Sequence, residues 1–321
     1  MILSNKPPYD ITPKVLKLIS SISEKIGEIN ANYLSKQSPQ LRKQNRIKTI
    51  QSSLQIEGNT LTEDQITALI DNNRIIGPEK DVIEVINAIK VYDELQKIKL
   101  YSEKDFLDAH ASLMKGLIPN PGKYRNQSVG IVKGNDIEHV APPFQQVPYL
   151  MKDLFEYLKD DQELTLIKSC VFHYEMEFIH PFIDGNGRMG RLWQTVILMN
   201  EYQVFEFLPF ESLISATQDE YYKSLSMSDK SGKSTPFIEY MLNVIDKSLS
   251  QLLNYNNRSL RDIERLEFFI SQGVKEFNRK DYMNVFKDIS SATASRDLKK
   301  GLELKFFKSS GNLNKTMYIV I

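Results

Sequence analysis

Residues 180–191, HPFIDGNGRMGR, bring a histidine, a carboxylate, two glycines around an asparagine and two arginines into one short stretch. Each residue type has a task on a phosphate-bearing substrate. His180, with a reference pKa near ~6.5, can accept a proton at neutral pH. Asp184 offers a hard oxygen ligand, and Mg2+ bound to nucleotide phosphates needs only one or two protein carboxylates. Gly185 and Gly187, on either side of Asn186, let the backbone approach an anion closely. Arg188 and Arg191 are three apart, share a helix face, and suit the several oxygens of a polyphosphate.

The flanking sequence supplies the elements that must hold these groups. LTLIKSCVFHYEMEFI, just before, reads as a largely apolar helix. Pro181 disfavours helical geometry at His180 and blocks continuation. Asp184-Gly185-Asn186-Gly187 is turn chemistry, and RMGRLWQTVILMN resumes helical period. The expected arrangement is helix, tight loop, helix N-terminus. There the first backbone N–H groups lack internal partners and carry the positive end of the dipole. Two arginines in that turn each oppose the dipole by about 0.3–1 kcal/mol, a cost that a bound anion offsets. The set together favours a nucleotide-handling site. Gly185, Gly187 and Gly190 also spell G-x-G-x-x-G, but a dinucleotide site needs a strand before it and a βαβ unit around it, and the flanks here are helical. A Walker loop is excluded because no Gly-Lys-Ser/Thr occurs.

The chain has 321 residues, 41 Lys+Arg against 41 Asp+Glu, and one cysteine, Cys170. Global charge therefore predicts neither nucleic-acid nor membrane binding, and an internal disulfide or cysteine-based metal cluster is excluded. No apolar run approaches membrane-spanning length, and MILSNKPPYD lacks a signal peptide's apolar core, so a cytoplasmic globular protein is expected. Helical period runs through KVLKLISSISEKIGEINANYL and through about 40–57, where Gly58 and Asn59 read as a stop. Thr62 with Gln65 reads as a capping box. Further helices are expected near 79–97, 103–116, 146–159, 163–179, 188–201, 211–227 and 235–253. VGIVKGNDIEHV (129–140) reads as two β-prone runs around a turn, either a surface loop or an edge able to accept another chain as a strand. After residue 257 the order is helix, helix, helix, hairpin, that of a winged helix. From Arg258 to Ile321 there are 13 Lys/Arg against 8 Asp/Glu. Both DNA binding through residues 257–321 and a packing or dimerisation module fit that mildly basic piece.

HPFIDGNGRMGR resembles the signature of Fic-domain proteins, His-x-Phe-x-Asp/Glu-Gly-Asn-Gly-Arg-x-x-Arg, with every specified position filled. GKYRNQSVGIV and APPFQQVPYLMKDL are similar to that family's flap region, and DEYYKSL with TPFIEYML to the helices bordering the nucleotide. The resemblance implies a mainly α fold: a Fic-type helical bundle with a β-hairpin flap, plus a small C-terminal winged-helix domain. It implies residues 1–98 as an N-terminal helical region, 99–256 as the catalytic core and 257–321 as the winged-helix-like piece. The implied activity is protein AMPylation, transfer of AMP from ATP to a Ser, Thr or Tyr hydroxyl of a target protein. His180 would be the general base, Phe182 the anchor of the loop, and Asp184 the Mg2+ ligand. Gly185, Asn186 and Gly187 would line the anion hole, Arg188 and Arg191 would hold the β- and γ-phosphates, and Tyr221 and Tyr222 would lie near the adenosine. The hairpin would dock the target peptide near Ile131 and Val132.

SSLQIEGN (52–59) adds a second layer. Glu57 falls in the last turn of its helix, where a carboxylate opposes the dipole, with Ser53 one turn earlier. Alone it reads as a solvated glutamate. Ser-x-x-x-Glu-Gly, however, resembles the inhibitory helix motif of many Fic proteins, which implies a Glu57–Arg191 pair that denies the γ-phosphate its partner in cis. Two rival readings stay open: AMP removal or transfer of another phosphate-containing group on the same fold, and a nucleotide-sensing transcription regulator that reads DNA through the helix of Arg296, Lys299 and Lys300. The chain could also pair as a homodimer; no membrane partner is expected.

Overall fold

The computed structural model describes residues 6–32, 39–133, 136–259, 262–271, 274–286, 289–311 and 316–320. By backbone packing the chain divides into residues 1–249 and 250–321. The larger unit begins with α1 (Pro13–Asn32), α2 (Pro39–Gln55), α3 (Glu63–Ile70), α4 (Glu79–Asp93) and α5 (Glu103–Leu113). A two-stranded antiparallel hairpin follows, β1 (Gly130–Lys133) with β2 (Asp136–Val140). Then come α6 (Val147–Leu158), α7 (Thr165–Ile179), α8 (Asn186–Glu201), α9 (Glu211–Ala216), α10 (Gln218–Ser231) and α11 (Thr235–Ser259), inside which the boundary falls. The mainly helical class and the lone hairpin before residue 250 are as expected.

Some expected helices end early or break, among them the one near 103–116, which ends at Leu113. The helix near 79–97 ends at Asp93 and gives way to a 3-10 turn at Leu95–Lys97. The run 211–227 is two helices broken at Thr217, whose hydroxyl donates to the Leu213 carbonyl at 2.7 Å. Side-chain hydroxyls of this kind compete with the helix ladder. The Thr62–Gln65 capping box forms as expected. Among the described residues no helix is long and apolar enough to cross a membrane.

The core that positions the loop at 180–185 is aromatic. Phe106, Phe155, Phe172, Phe182 and Trp193 are buried together, with ring centroids 5.0–6.5 Å apart and mostly edge-to-face. Each ring contributes roughly 1.5–3 kcal/mol by burial, and edge-to-face pairs add specificity of orientation. Four of these rings come from α5, α6, α7 and α8 and Phe182 from the loop itself, so the loop and both helices flanking it are fixed by one cluster.

The smaller unit runs α12 (Asp262–Ser271), β3 (Glu276–Asn278), α13 (Arg279–Val285), α14 (Ser291–Glu303), β4 (Phe307–Ser310) and β5 (Met317–Val320). Its antiparallel sheet has the order β3-β5-β4. Strand β3 was not expected, because Asn278 ends it and at once caps α13 with its own side chain. Phe269, Phe277, Tyr282, Leu298 and Phe307 form the core. Arg265 grips the buried Asp297 with two bonds of 2.6 and 2.8 Å, and the Tyr282 hydroxyl donates to the same carboxylate at 3.1 Å.

Back in the larger unit, α9 packs along α2. Ser52 and Ser212 hydroxyls meet at 3.0 Å, and Ser215 donates to Gln55 at 3.1 Å. In the first turn of α9, Glu211 is fully buried, and burial pushes its carboxyl up to about 8. A carboxyl whose folded pKa exceeds its unfolded value, near ~4.3, stabilises fully below that value and loses the contribution as pH rises through the folded value. Glu211→Gln is expected to gain stability relative to wild type between about pH 5 and pH 8. Urea unfolding at the two pH values measures this, and parallel profiles would count against a buried neutral acid.

Candidate active site

Helix α7 ends at His180, whose backbone is left-handed at φ 50°, an uncommon conformation for a residue with a Cβ. Arg125 holds it there. This arginine is 3% exposed and donates from Nε to the His180 carbonyl at 2.8 Å and from Nη2 to the Ile179 carbonyl at 3.3 Å. A cation on the last carbonyls also suits the negative end of the α7 dipole. The His180 ring is half-buried, with Nδ1 3.4 Å from the Glu177 carbonyl oxygen. A carbonyl can only accept, so a hydrogen bond there requires the proton on Nδ1 and makes Nε2 the basic nitrogen.

The loop is then locked from inside. Asn186 Oδ1 accepts from the Phe182 amide and its Nδ2 donates to the Phe182 carbonyl, both at 2.9 Å. Phe182 is fully buried and stacks on His110 at 3.6 Å with the planes 4° apart. The Gly122 amide donates to His110 Nδ1 at 2.8 Å, so Nε2 carries the proton and donates to the Asp184 carbonyl at 2.9 Å. Burial holds His110 down at about 4, so the ring stays neutral at pH 7. Gly185, at φ 89°, precedes the first residue of α8. The amides of Asn186, Gly187 and Arg188 therefore have no acceptor within their helix. Asn186 thus meets the anion end through its backbone, while its side chain closes the loop.

Both arginines are buried and already engaged. Arg188 donates to Glu84 at 3.0 Å and to Asp184 at 2.8 Å. Glu84, 3% exposed on α4, also accepts from Asn59 Nδ2 at 2.8 Å. Arg191 is wholly buried. Its Nε donates to the Ser53 hydroxyl at 3.1 Å, and its Nη2 to the Ser53 carbonyl at 2.9 Å and to Glu57 Oε1 at 2.6 Å. Burial alone would lower this guanidinium, but the Glu57 carboxylate beside it holds it above its ordinary value.

The end of α2 explains how Glu57 comes to be there. The Gly58 amide donates to the Gln55 carbonyl at 2.9 Å and the Asn59 amide to the Leu54 carbonyl at 3.1 Å, with Gly58 at φ 88°. This is a Schellman cap with Glu57 as its C-cap residue. The dipole disfavours a carboxylate at that point, and Arg191 offsets the penalty. The space between is narrow: a Cβ at Gly187 would lie 2.5 Å from Glu57 Oε1 and 3.0 Å from Arg191 Nη1.

Around this pair stand Tyr221, His173 and Glu177. Tyr221 is 1% exposed, with its hydroxyl 3.1 Å from His173 Nε2 and 3.3 Å from Glu177 Oε1. It lies in the wall, and the neighbouring Tyr222 presents the exposed ring. In the hairpin, Ile131 pairs with His139 and Val132 with Ile137 across a bulge; the side chains of Ile131 and Val132 lie outside the described residues. Asp184 is 46% exposed at its side chain, and its recorded bonds, to the Gly185 amide and to Arg188, both fall on Oδ1. A half-exposed carboxylate oxygen at an anion site fits a Mg2+ ion that takes its other ligands from phosphates and water. Among the described residues no group of three or more His, Cys, Asp or Glu could hold a metal by itself.

Glu84, Arg125 and His110 were not singled out in the sequence. Glu84 had a signal: it falls on the apolar stripe of α4 with Val85, Ala88 and Val91, where a charge needs a buried partner. Arg125 and His110 had none, since their partners are backbone groups of distant loops.

The Fic/DOC family model matches residues 100–198. The protein adenylyltransferase fic-1 of Caenorhabditis elegans is 26% identical over 250 residues, covering 74% of this chain and 47% of its own length. The protein adenylyltransferase Fic of Nematostella vectensis is 27% identical over 260 residues, covering 75% and 58%. The chain thus spans about half the length of these curated relatives. In fold it matches C. elegans Fic-1 (residues 134–508 of that protein) with a TM-score of 0.64, at 23% identity over 76% of this chain and 73% of that one. The crystal structure of a Fic family protein from Desulfovibrio desulfuricans G20 shares 37% identity and a TM-score of 0.77, over 98% of both chains. A likeness at that identity over nearly the whole of both chains, with the family model lying across the helix–loop–helix just described, makes this chain a member of the Fic/DOC family.

Proposed function

We propose that the chain is a protein adenylyltransferase, moving AMP from ATP to a Ser, Thr or Tyr hydroxyl of a target protein, and that Glu57 holds it inactive. The observation that carries this reading is the buried Arg191 at the mouth of α8, neutralised by a carboxylate from another helix. The names of the curated relatives support it. With Glu57 withdrawn, Arg191, Arg188 and the amides of Asn186 and Gly187 form a cationic cradle for a triphosphate. His180 Nε2 takes the hydroxyl proton as the hydroxyl oxygen bonds to the α-phosphorus, and the bond to pyrophosphate breaks with its electrons on the leaving group. Asp184 would hold Mg2+, which spreads the charge of the phosphate chain when bound. Residues 99–256 would carry the chemistry and residues 1–98 the brake. The hairpin would dock the target peptide by strand addition, and Tyr222 would border the adenosine. A cytoplasmic setting goes with the reading, since ATP is available there.

Glu57→Gly protein, incubated with α-labelled ATP, is expected to label itself or a lysate protein about 10- to 100-fold faster than wild type, the worth of one charge-assisted bond to Arg191. Equal rates would remove the brake, and adding His180→Ala should abolish labelling. Without nucleotide, Glu57→Gly should be less stable by about 1–3 kcal/mol, because a buried guanidinium loses its partner. ATP·Mg2+ should raise its melting temperature more than that of wild type. Release of AMP from a labelled target by wild type would instead favour AMP removal.

A second reading concerns the smaller unit alone. Its element order and β3-β5-β4 sheet support a winged helix, and α14 turns Ser291, Ser295, Arg296 and Lys299 to solvent, with Arg279 and Lys280 exposed on α13. That face suits duplex DNA. A gel shift with wild type should weaken steeply between about 50 and 200 mM salt and vanish in Arg296→Glu/Lys299→Glu. No shift at low salt would reject it.

A further inference from the structure

Behind the brake, a cavity of about 460 Å3 opens between α2, α4, α8 and the turn after α8. That is the size of a small-molecule site. Phe205, Phe207 and Leu208 give it an apolar wall, and Arg42, Lys43 and Arg46 stand along the α2 side. Lys43 is paired with Asp71 and Arg46 with Asp93. Arg42 has no carboxylate partner among the described residues and lies over the Phe207 ring, 5.4 Å from its centroid. A guanidinium without a carboxylate partner among the described residues, lying over an aromatic ring beside an apolar wall, is the chemistry of a flat ligand with one anionic group.

We propose that this cavity binds a small amphiphilic anion, an aromatic or otherwise flat apolar body bearing a sulfonate, carboxylate or phosphate, and that its occupation tightens the brake. The second half rests on the adenylyltransferase reading; the site itself does not. Arg42, Arg46 and Thr49 line the cavity, while Ser53 and Glu57 hold Arg191. These residues follow one another at three- and four-residue steps and so form a single stripe of α2. The cavity and the brake are two stretches of one helix face. The cavity has its present walls only while α2 is seated against α4 and α8, which is also the position that puts Glu57 on Arg191. A ligand that requires the seated helix must shift the population toward it.

The test uses a matched pair of dyes on the full chain: 8-anilinonaphthalene-1-sulfonate and its uncharged counterpart N-phenyl-1-naphthylamine. The sulfonate should bind with one site per chain, about tenfold or more tighter than the neutral dye, the worth of a charge-assisted bond. Arg42→Glu should erase that preference without lowering the melting temperature, and Arg42→Lys should retain part of it. No saturable binding, which would mean that water alone fills the cavity, overturns the proposal. So does equal binding of the two dyes, or a preference that survives Arg42→Glu. For the coupling, the sulfonate should slow residual AMP transfer by wild type and leave Glu57→Gly unaffected; equal slowing of both would sink that half. Should Glu57→Gly transfer no AMP at all, the adenylyltransferase reading fails while the binding arm still decides the site.

Discussion

A guanidinium with no solvent exposure must keep an anion within reach, and the architecture around Arg191 follows from that requirement. Its place on α8 is fixed by the aromatic cluster that also anchors Phe182. A buried cation left alone would cost several kcal/mol. Some oxygen-bearing group must therefore stand beside it in every populated state, whether the carboxylate at the end of α2 or a group that replaces it. Removing one partner costs stability, but the ion pair is best understood as a requirement that chooses between occupants, not as a gain over an apolar pair.

The rest of the loop is held by contacts that do not change with charge. Arg125 pins the last carbonyls of α7, Asn186 ties the loop to itself, and neutral His110 props Phe182 and the Asp184 carbonyl. These groups hold His180 and the α8 amides in place, so ligand binding asks little reorganisation of the loop. The end of α2 stands apart: Glu57 is a C-cap residue with its side chain 27% exposed, held to the site through its own carboxylate and through Ser53. The loop is held by its own contacts, and the carboxylate that occupies Arg191 comes from the end of one helix.

Much of this was legible in the sequence because it is local. Pro181 after an apolar run marks where α7 must stop, the Asp-Gly-Asn-Gly turn marks the entry to α8, and Gly58 marks the end of α2 just past Glu57. Period told helices from the hairpin. What escaped was of two kinds. The split at Thr217 and the short strand β3 depend on side chains competing with, or capping, the backbone, and period averages over such events. Arg125 and His110 act on backbone carbonyls and amides some dozen to several dozen residues away, and a backbone partner leaves no trace in residue type. Glu84 lay between these cases, visible as a charge on an apolar face though its partner was not.

The crowding at Gly187 has a consequence for timing. A Cβ at that glycine would collide with Glu57 Oε1 and crowd Arg191 Nη1, so the Glu57 carboxylate fills the space beside the guanidinium. One contender for it is tethered by its own polypeptide, so its local concentration is set by covalent geometry and never by supply. On the adenylyltransferase reading, whatever starts the chemistry has to draw the tail of α2 away from Arg191.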